Sequence, residues 1–188
     1  MKWRGCLDNI CLSGGAIGAD YLWGEVASMF GHQIVHFGFA GHRSKVPRAT
    51  IYTLTEEALL DADPYLVRAN KTLDRRWPVR DHHVASLLRR NFYQVIETDS
   101  VYAVASLDRG HVAGGTAWAV QMYLDRFDRG VELPCYVFDQ NVGTWTQWDG
   151  DGFLEIDLPP RPAGLWTGIG TRKLNTAGTN AIMGIWTS

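Results

Sequence analysis

A glycine-rich turn between an apolar run and a helical pattern is the feature that most constrains the fold of this chain. Residues 12–20 read Leu-Ser-Gly-Gly-Ala-Ile-Gly-Ala-Asp; the short apolar run Ile10–Leu12 leads into them and a helical pattern over Tyr21–Phe30 follows. Backbone N–H groups converge at such a turn, and the positive end of the helix dipole adds to them. The stretch therefore predicts an anion-binding turn, suited to phosphate, at the start of a helix.

Two further turns of the same kind occur later in the chain. Residues 112–118 read Val-Ala-Gly-Gly-Thr-Ala-Trp, and residues 167–172 read Thr-Gly-Ile-Gly-Thr-Arg. Three such turns predict one anion-binding rim at the carboxyl ends of parallel strands. The alternative is that these glycines only allow the chain to turn tightly.

Strand and helix patterns alternate along the sequence, which predicts an α/β sandwich around a mostly parallel sheet. The predicted helices are Tyr21–Phe30, Thr55–Ala69 with a break at Asp63-Pro64, His82–Phe92, Thr116–Phe127 and a weak Asn175–Trp186. The predicted strands are residues 9–12, Gln33–Phe37, Val101–Ser106, Cys135–Phe138 and Leu165–Thr167. We expect residues 1–188 to form one domain, with a meander and a proline-rich connector at 141–163 inside it.

Composition limits the classes of function. A net charge of −2 argues against a general nucleic-acid binder, which normally carries a basic surplus. Cys6, Cys11 and Cys135 have no metal-binding spacing, and an odd number of cysteines fits a reducing compartment. The sequence has no signal-peptide pattern and no apolar run of membrane-spanning length, so we expect a cytoplasmic protein that does not bind membranes.

The three turns and the polar residues near them supply the candidate binding site. They are Ser13, Gly14, Gly15, Ala16, Gly18, Asp20, His36, His42, Arg90, Gly114, Gly115, Thr116, Gly168, Gly170, Thr171 and Arg172. We predict no metal site, because His36, His42, His82, His83 and His111 have no recognisable ligand spacing.

Several of these side chains have two interpretations. Asp20 either binds ribose hydroxyls or only complements the helix dipole. His36 and His42 bind phosphate, act as an acid–base pair, or are core or capping residues. Arg90 is a pocket residue or a charge at a helix end, and Arg172 is expected to direct its guanidinium at the bound anion. Trp118 packs in the core or stacks on a base.

The order of the turns leads to a family resemblance. If the C-terminus is joined to the N-terminus on paper, the third turn, a helix, a strand and the first turn form a continuous βαβ unit. The chain resembles the circularly permuted, YpsA-like branch of the SLOG superfamily, which includes LOG phosphoribohydrolases, DprA and proteins called "putative molybdenum carriers". The matching residues are Ser13–Ala16, Gly18–Asp20, His36, Phe39, Gly41, His42, Arg90-Asn91, Gln94-Val95, Gly114–Trp118 and Gly168–Arg172.

The resemblance implies a Rossmann-like three-layer sandwich in which the C-terminal strand and helix precede the N-terminal strand in space. It also implies a nucleotide or nucleotide-like ligand between the turns; we expect a small-molecule partner of that kind and a homo-oligomer. LOG enzymes have the pattern Pro-Gly-Gly-x-Gly-Thr-x-x-Glu, whose glutamate is catalytic. Here Ala119 stands at the glutamate position, and only Asp20 or a carboxylate from elsewhere, such as Glu25, is available to replace it.

Two functions remain open from the sequence. One is a protein that binds a nucleotide-derived ligand as a sensor, a carrier or a sequestering protein. The other is a LOG-like hydrolase that cleaves an N-glycosidic or phosphoester bond. A DprA-like single-strand binder fits less well, because the chain lacks a basic stripe with aromatic residues.

Overall fold

Eight strands form one sheet whose spatial order differs from their order in the chain. The computed structural model describes residues 9–187, so Cys6 and the N-terminal segment tested for a signal peptide lie outside the described residues. The sheet strands are β1 (Ile10–Ser13), β2 (Gln33–Phe39), β3 (Ile51–Leu54), β4 (Ser100–Ala105), β7 (Cys135–Asp139), β8 (Thr144–Trp148), β9 (Phe153–Ile156) and β10 (Leu165–Gly170). A separate hairpin consists of β5 (Leu107–Asp108) and β6 (His111–Val112). The sheet order is β3-β2-β1-β10-β4-β7-β8-β9; the strands from β3 to β7 in this order pair in parallel, whereas the β7–β8 and β8–β9 pairs are antiparallel.

The last strand of the chain lies in the middle of this sheet. Ile10 pairs with Leu165 on one side of β10, and Val101 pairs with Thr167 on the other. The predicted position of the Leu165–Thr167 strand beside Ile10–Leu12 is therefore confirmed. The hydroxyl of Thr167 also donates a hydrogen bond to the carbonyl of Leu12 at 3.0 Å, which joins the two strands through a side chain.

Six α-helices within residues 9–187 cover the sheet: α1 (Ala19–Met29), α2 (Glu56–Leu60), α3 (Asp63–Leu73), α4 (His82–Val95), α5 (Thr116–Leu124) and α6 (Thr176–Gly184). The predicted break at Asp63-Pro64 separates α2 from α3. Side-chain oxygens cap three of the helices: Thr55 accepts from Ala58 N–H at 3.1 Å, Asp81 from Val84 N–H at 3.0 Å and Asn175 from Gly178 N–H at 2.8 Å.

The alternation of side chains along β4 shows how both faces of the sheet are buried. Tyr102 and Val104 pack into the core cluster that contains residues of α1 and α6, whereas Val101, Ala103 and Ala105 pack into the cluster under α3, α4 and α5. A strand buried on both faces gives the continuous apolar run seen in the sequence. The fold is an α/β, Rossmann-like sandwich, as predicted.

Some predicted elements differ from the structure in extent. β2 continues to Phe39, two residues beyond the predicted end at Phe37, and β10 continues to Gly170, so Gly168 lies inside a strand. Gly168 is in the strand because Trp23 of α1 packs against it: an added Cβ would lie 2.5 Å from the Trp23 Cβ. Strand β3 was not predicted. Its two central side chains are exposed, which leaves a weak apolar pattern.

Trp118 is buried in the core on the α5 side of the sheet, with its ring 5.8 Å from that of Trp77. Core packing is therefore the interpretation of Trp118 that the structure supports. Cys11 and Cys135 are buried free thiols, and burial raises the pKa of both. None of the helices within residues 9–187 combines the length and apolar character needed to span a bilayer.

Candidate functional site

A cleft of about 390 Å³ opens at the carboxyl ends of β1, β10 and β4. Residues of all three glycine turns line it: Ala16 and Asp20 of the first, Gly114, Gly115 and Thr116 of the second, and Gly170, Thr171 and Arg172 of the third. Helix α4 forms the opposite wall with Val84, Leu87, Leu88, Arg90 and Asn91. One rim therefore carries residues of all three turns, at the sheet edge where α/β proteins bind ligands.

The first glycine turn packs tightly against other parts of the protein. An added Cβ on Gly14 would lie 1.1 Å from the Arg90 Nη1 atom, and one on Gly18 would lie 2.3 Å from the Thr171 carbonyl oxygen. Gly15 has φ +58° and would meet the Ser44 hydroxyl at 2.8 Å. Ser13 fastens the turn, since its hydroxyl donates to the Asp20 carbonyl at 2.6 Å and accepts from Gly15 N–H at 3.2 Å. These glycines make room for protein groups.

Asp20 and Arg90 form a buried ion pair under the cleft. The Arg90 Nη1 atom donates to Asp20 Oδ2 at 3.1 Å and to Gln94 Oε1 at 2.7 Å, and Gly170 N–H donates to Asp20 Oδ1 at 2.9 Å. Burial raises the pKa of Asp20, and the Arg90 charge opposes that rise. Both Asp20 carboxylate oxygens therefore bind protein groups. Asp20 also lies in the first turn of α1, where its charge complements the helix dipole as the second interpretation expected.

His36 and His42 do not line the cleft. His36 is buried on β2 beside Gly24 and Gly15, and its Nδ1 atom has no hydrogen-bond partner among residues 9–187. His42 stacks on Phe39 with ring centroids 5.2 Å apart. Burial lowers the pKa of His36 and lowers that of His42 to about 4. Both imidazoles are therefore neutral near pH 7, where a charged phosphate ligand would need a cation.

The second glycine turn is open. An added Cβ on Gly114 would meet nothing within 4 Å, and one on Gly115 would meet only Leu88, at 4.0 Å. The left-handed backbone is at Gly114, with φ +65°, whereas Gly115 has the helical φ of −69°. The N–H groups of Gly115, Thr116 and Ala117 make no hydrogen bond to the described residues, as expected for the first turn of an uncapped helix.

Arg75 holds this turn from outside the cleft. Its guanidinium donates to the Gly114 carbonyl at 2.6 Å and to the Val112 carbonyl at 3.3 Å. Both carbonyls therefore have a partner outside the cleft. Arg75 was not among the predicted site residues, because 39 residues separate it from Gly114.

The third turn contributes at its end only. Gly170, Thr171 and Arg172 line the cleft, and Thr171 N–H donates to the Val104 carbonyl at 2.8 Å. Gly168 is a packing residue against Trp23 and does not line the cleft. Arg172 is exposed and makes no ion pair within residues 9–187, so its guanidinium is free to meet a ligand.

The carboxylate at the cleft is Asp20 alone among the described residues, and Ala119 lines the cleft from α5. Glu25 is exposed on α1 and lies outside the cleft. Within residues 9–187, no three His, Cys, Asp or Glu side chains lie together as they would around a metal ion.

The apolar wall of the cleft was also missed. Val84, Leu87, Leu88 and Asn91 occur at intervals of three and four along α4, so they share one helix face. That spacing was interpreted only as a helix pattern. It does not tell a core-facing stripe from one that lines a cleft.

No protein-family model matches the chain, and no curated protein does. Its fold is similar to that of a crystal structure from Syntrophus aciditrophicus SB described as a "Putative molybdenum carrier protein". The match covers 96% of this chain and 94% of that chain, with a TM-score of 0.56 and 12% identity. At this identity the likeness establishes a shared fold.

Proposed function

We propose that this protein binds a nucleotide or nucleotide-derived phosphorylated ligand, as a sensor, carrier or sequestering protein, with a phosphate at the start of α5. The observation that carries the proposal is the open second turn. Three consecutive N–H groups there lack protein acceptors within the described chain, and two glycines leave the approach to them clear. Such a helix start stabilises an anion through hydrogen bonds and the helix dipole.

The remaining walls of the cleft suit the rest of such a ligand. Arg172 supplies a guanidinium, which binds phosphate oxygens in a bidentate manner. Val84, Leu87 and Leu88 provide an apolar surface for a base or sugar face. Asp20 is committed to Arg90 and Gly170, so it has no free oxygen for ribose without breaking that network.

We further propose that the chain is a circularly permuted relative of the SLOG proteins. The position of β10 between β1 and β4 supports this, because it makes the third turn, α6, β1 and the first turn spatially consecutive. The motifs named above occur in the order that this permutation requires.

A second candidate ligand follows from the name of the structural neighbour. An oxyanion of molybdenum is tetrahedral and doubly charged, like a phosphate group, and the same N–H groups and Arg172 would stabilise it. A carrier of that anion and a nucleotide binder differ in their need for the apolar wall of α4, which a small oxyanion would leave unused.

The hydrolase alternative has less support. A carboxylate from elsewhere would have to do the work of the catalytic glutamate, because Ala119 stands at that position. Loss of a positioned acid or base typically lowers a rate by about 10²–10⁴-fold. We therefore expect weak or no release of free base from AMP by the unmodified protein. Turnover of about 1 s⁻¹ or faster would favour the hydrolase, with Asp20 the first carboxylate to test.

Calorimetric titration with AMP, inorganic phosphate and molybdate tests the proposal. We expect AMP to bind, Gly115→Val to abolish that binding, and Arg172→Ala to weaken it by roughly tenfold, the value of one charge-assisted hydrogen bond. Gly184→Val is the matched control, because a Cβ on Gly184 would meet nothing within 4 Å and Gly184 lies on α6, outside the cleft. Binding of molybdate without AMP would favour the oxyanion carrier, and unchanged AMP binding by Gly115→Val would move the site elsewhere.

A further inference from the structure

A second, larger cavity of about 750 Å³ adjoins the cleft on the other side of the β6–α5 turn. Ala113 and Gly114 line both spaces. Gly114 carries no side chain, and a Cβ there would have no neighbour within 4 Å. At this residue, therefore, no side chain separates the two spaces. A ligand bound at the start of α5 therefore has room to continue past Gly114.

Arg75 lies at the end of the larger cavity nearest to the cleft. Arg75 is fixed there by its hydrogen bonds to the Gly114 and Val112 carbonyls. A guanidinium has five N–H donors, so Arg75 retains donors for a further acceptor. Lys71 lies in the last turn of α3, which ends before Arg75, and it also lines the cavity.

The carboxylates of the cavity lie mostly at its other end. Asp125 follows the carboxyl end of α5, and the Arg68 charge opposes the rise that burial causes in the pKa of this carboxyl. Asp128 and Asp151 belong to the adjoining loops. Asp108, in the β5–β6 hairpin, is the exception, and Arg109 and His111 of the same hairpin accompany it. Lys71 and Arg75 make no ion pair within residues 9–187, so their charges are available to a ligand.

We propose that the ligand of the cleft is a nucleoside di- or triphosphate whose second phosphate crosses Gly114 and binds Lys71 and Arg75. This inference rests on the proposed function, and it specifies the class of nucleotide. The first phosphate binds the N–H groups at the start of α5. The second phosphate binds the two cations and stays clear of the apolar side chains and aspartates of the larger cavity.

Calorimetric titration with AMP, ADP and ATP in the wild type and in Lys71→Ala tests this inference. We expect ADP and ATP to bind about tenfold more tightly than AMP, and Lys71→Ala to remove most of that gain while the Kd for AMP is unchanged. Lys45→Ala is the matched control, since Lys45 lies over the Tyr21 ring and lines neither space. Arg75→Ala should weaken the binding of all three nucleotides, because it also removes the hydrogen bond to the Gly114 carbonyl. The melting temperature of this variant shows whether it is folded.

The outcomes separate the two proposals. If AMP binds but ADP and ATP bind no more tightly, or if Lys71→Ala weakens AMP and ADP equally, the second phosphate subsite is wrong and the proposed function stands. If none of the three nucleotides binds, both proposals are overturned.

Discussion

Gly14, Gly15 and Gly115 differ in what a side chain at each position would meet. At Gly14 it would meet the Arg90 guanidinium, at Gly15 it would meet Ser44, Val46 and His36 in a backbone with φ +58°, and at Gly115 it would meet only Leu88, at 4.0 Å. Glycine is therefore required by packing in the first turn, whereas at Gly115 it leaves the ligand approach open.

Valine at Gly15 should destabilise the fold, whereas valine at Gly115 should not. A β-branched residue at a positive φ is strained and would also displace Ser44, which together should lower the free energy of unfolding by about 2–4 kcal/mol. Urea denaturation of both variants measures this difference. An unchanged midpoint for Gly15→Val would contradict the tight packing of the first turn.

The sequence predicted where the chain turns but not what fills each turn. A Ser-Gly-Gly pattern before a helix indicates a turn from local preferences alone. Arg90 occupies the space beside Gly14 from 76 positions away, and no local pattern carries that information. The same limit explains why Asp20, expected at the ligand, is bound to Arg90 instead.

Stability should fall on acidification because of His42. Its pKa is about 4 in the folded protein and near 6.5 when unfolded, so the unfolded chain binds more protons between these values. The contribution is complete above about pH 6.5 and is lost as the pH falls through about 4. Melting temperatures from pH 7 to 4 should fall less steeply for His42→Gln than for the wild type, with exposed His82→Gln as the control; parallel curves would contradict this.

At the scale of elements, the Asp20–Arg90 pair joins α1, α4 and β10. Asp20 lies in α1, Arg90 in α4, and Gly170 N–H of β10 completes the network. Asp20→Ala leaves the Arg90 charge buried without its partner and should lower the free energy of unfolding by about 3–5 kcal/mol.

The Arg89–Asp63 pair provides the control for this prediction. Its atoms are closer, at 2.6 Å, but the Asp63 side chain is 35% exposed, so Asp63→Ala should cost only about 1 kcal/mol or less. Chemical denaturation of the two variants gives the comparison. Equal losses of unfolding free energy in the two variants would mean that the buried pair stabilises the fold no more than the exposed one.

The elements themselves were largely predictable. Apolar periodicity located the six helices and most of the parallel strands within a few residues. β3 was not predicted because its central residues Tyr52 and Thr53 face solvent at the sheet edge, which weakens the apolar pattern. β10 ran longer than predicted because its two glycines suggested a turn, while packing against Trp23 and Ala19 keeps them in the strand.

At the scale of the whole molecule, the sheet depends on its last strand. Removal of the residues after Pro160 would delete β10 and leave β1 and β4 without the neighbour between them. We expect the truncated chain to show no cooperative melting transition by circular dichroism. A truncated protein with an unchanged melting temperature would contradict the observed strand order.

This central position was inferable from the order of the glycine turns, since joining the chain ends on paper restores a continuous βαβ unit. The cleft was inferable at the same level, because the carboxyl ends of parallel strands meet at one edge. The larger cavity was not, since it depends on how α3 and the β5–β6 hairpin lie against α5.

The position of β10 also bears on how the protein is made. A ribosome delivers β1 first and β10 after all the other strands, yet Ile10 and Leu165 are partners. Until β10 emerges, β1 and β4 each present an unpaired backbone edge in the nascent chain, and such edges promote association with other chains. During most of its synthesis, therefore, the incomplete sheet has to be kept from associating with other polypeptide chains.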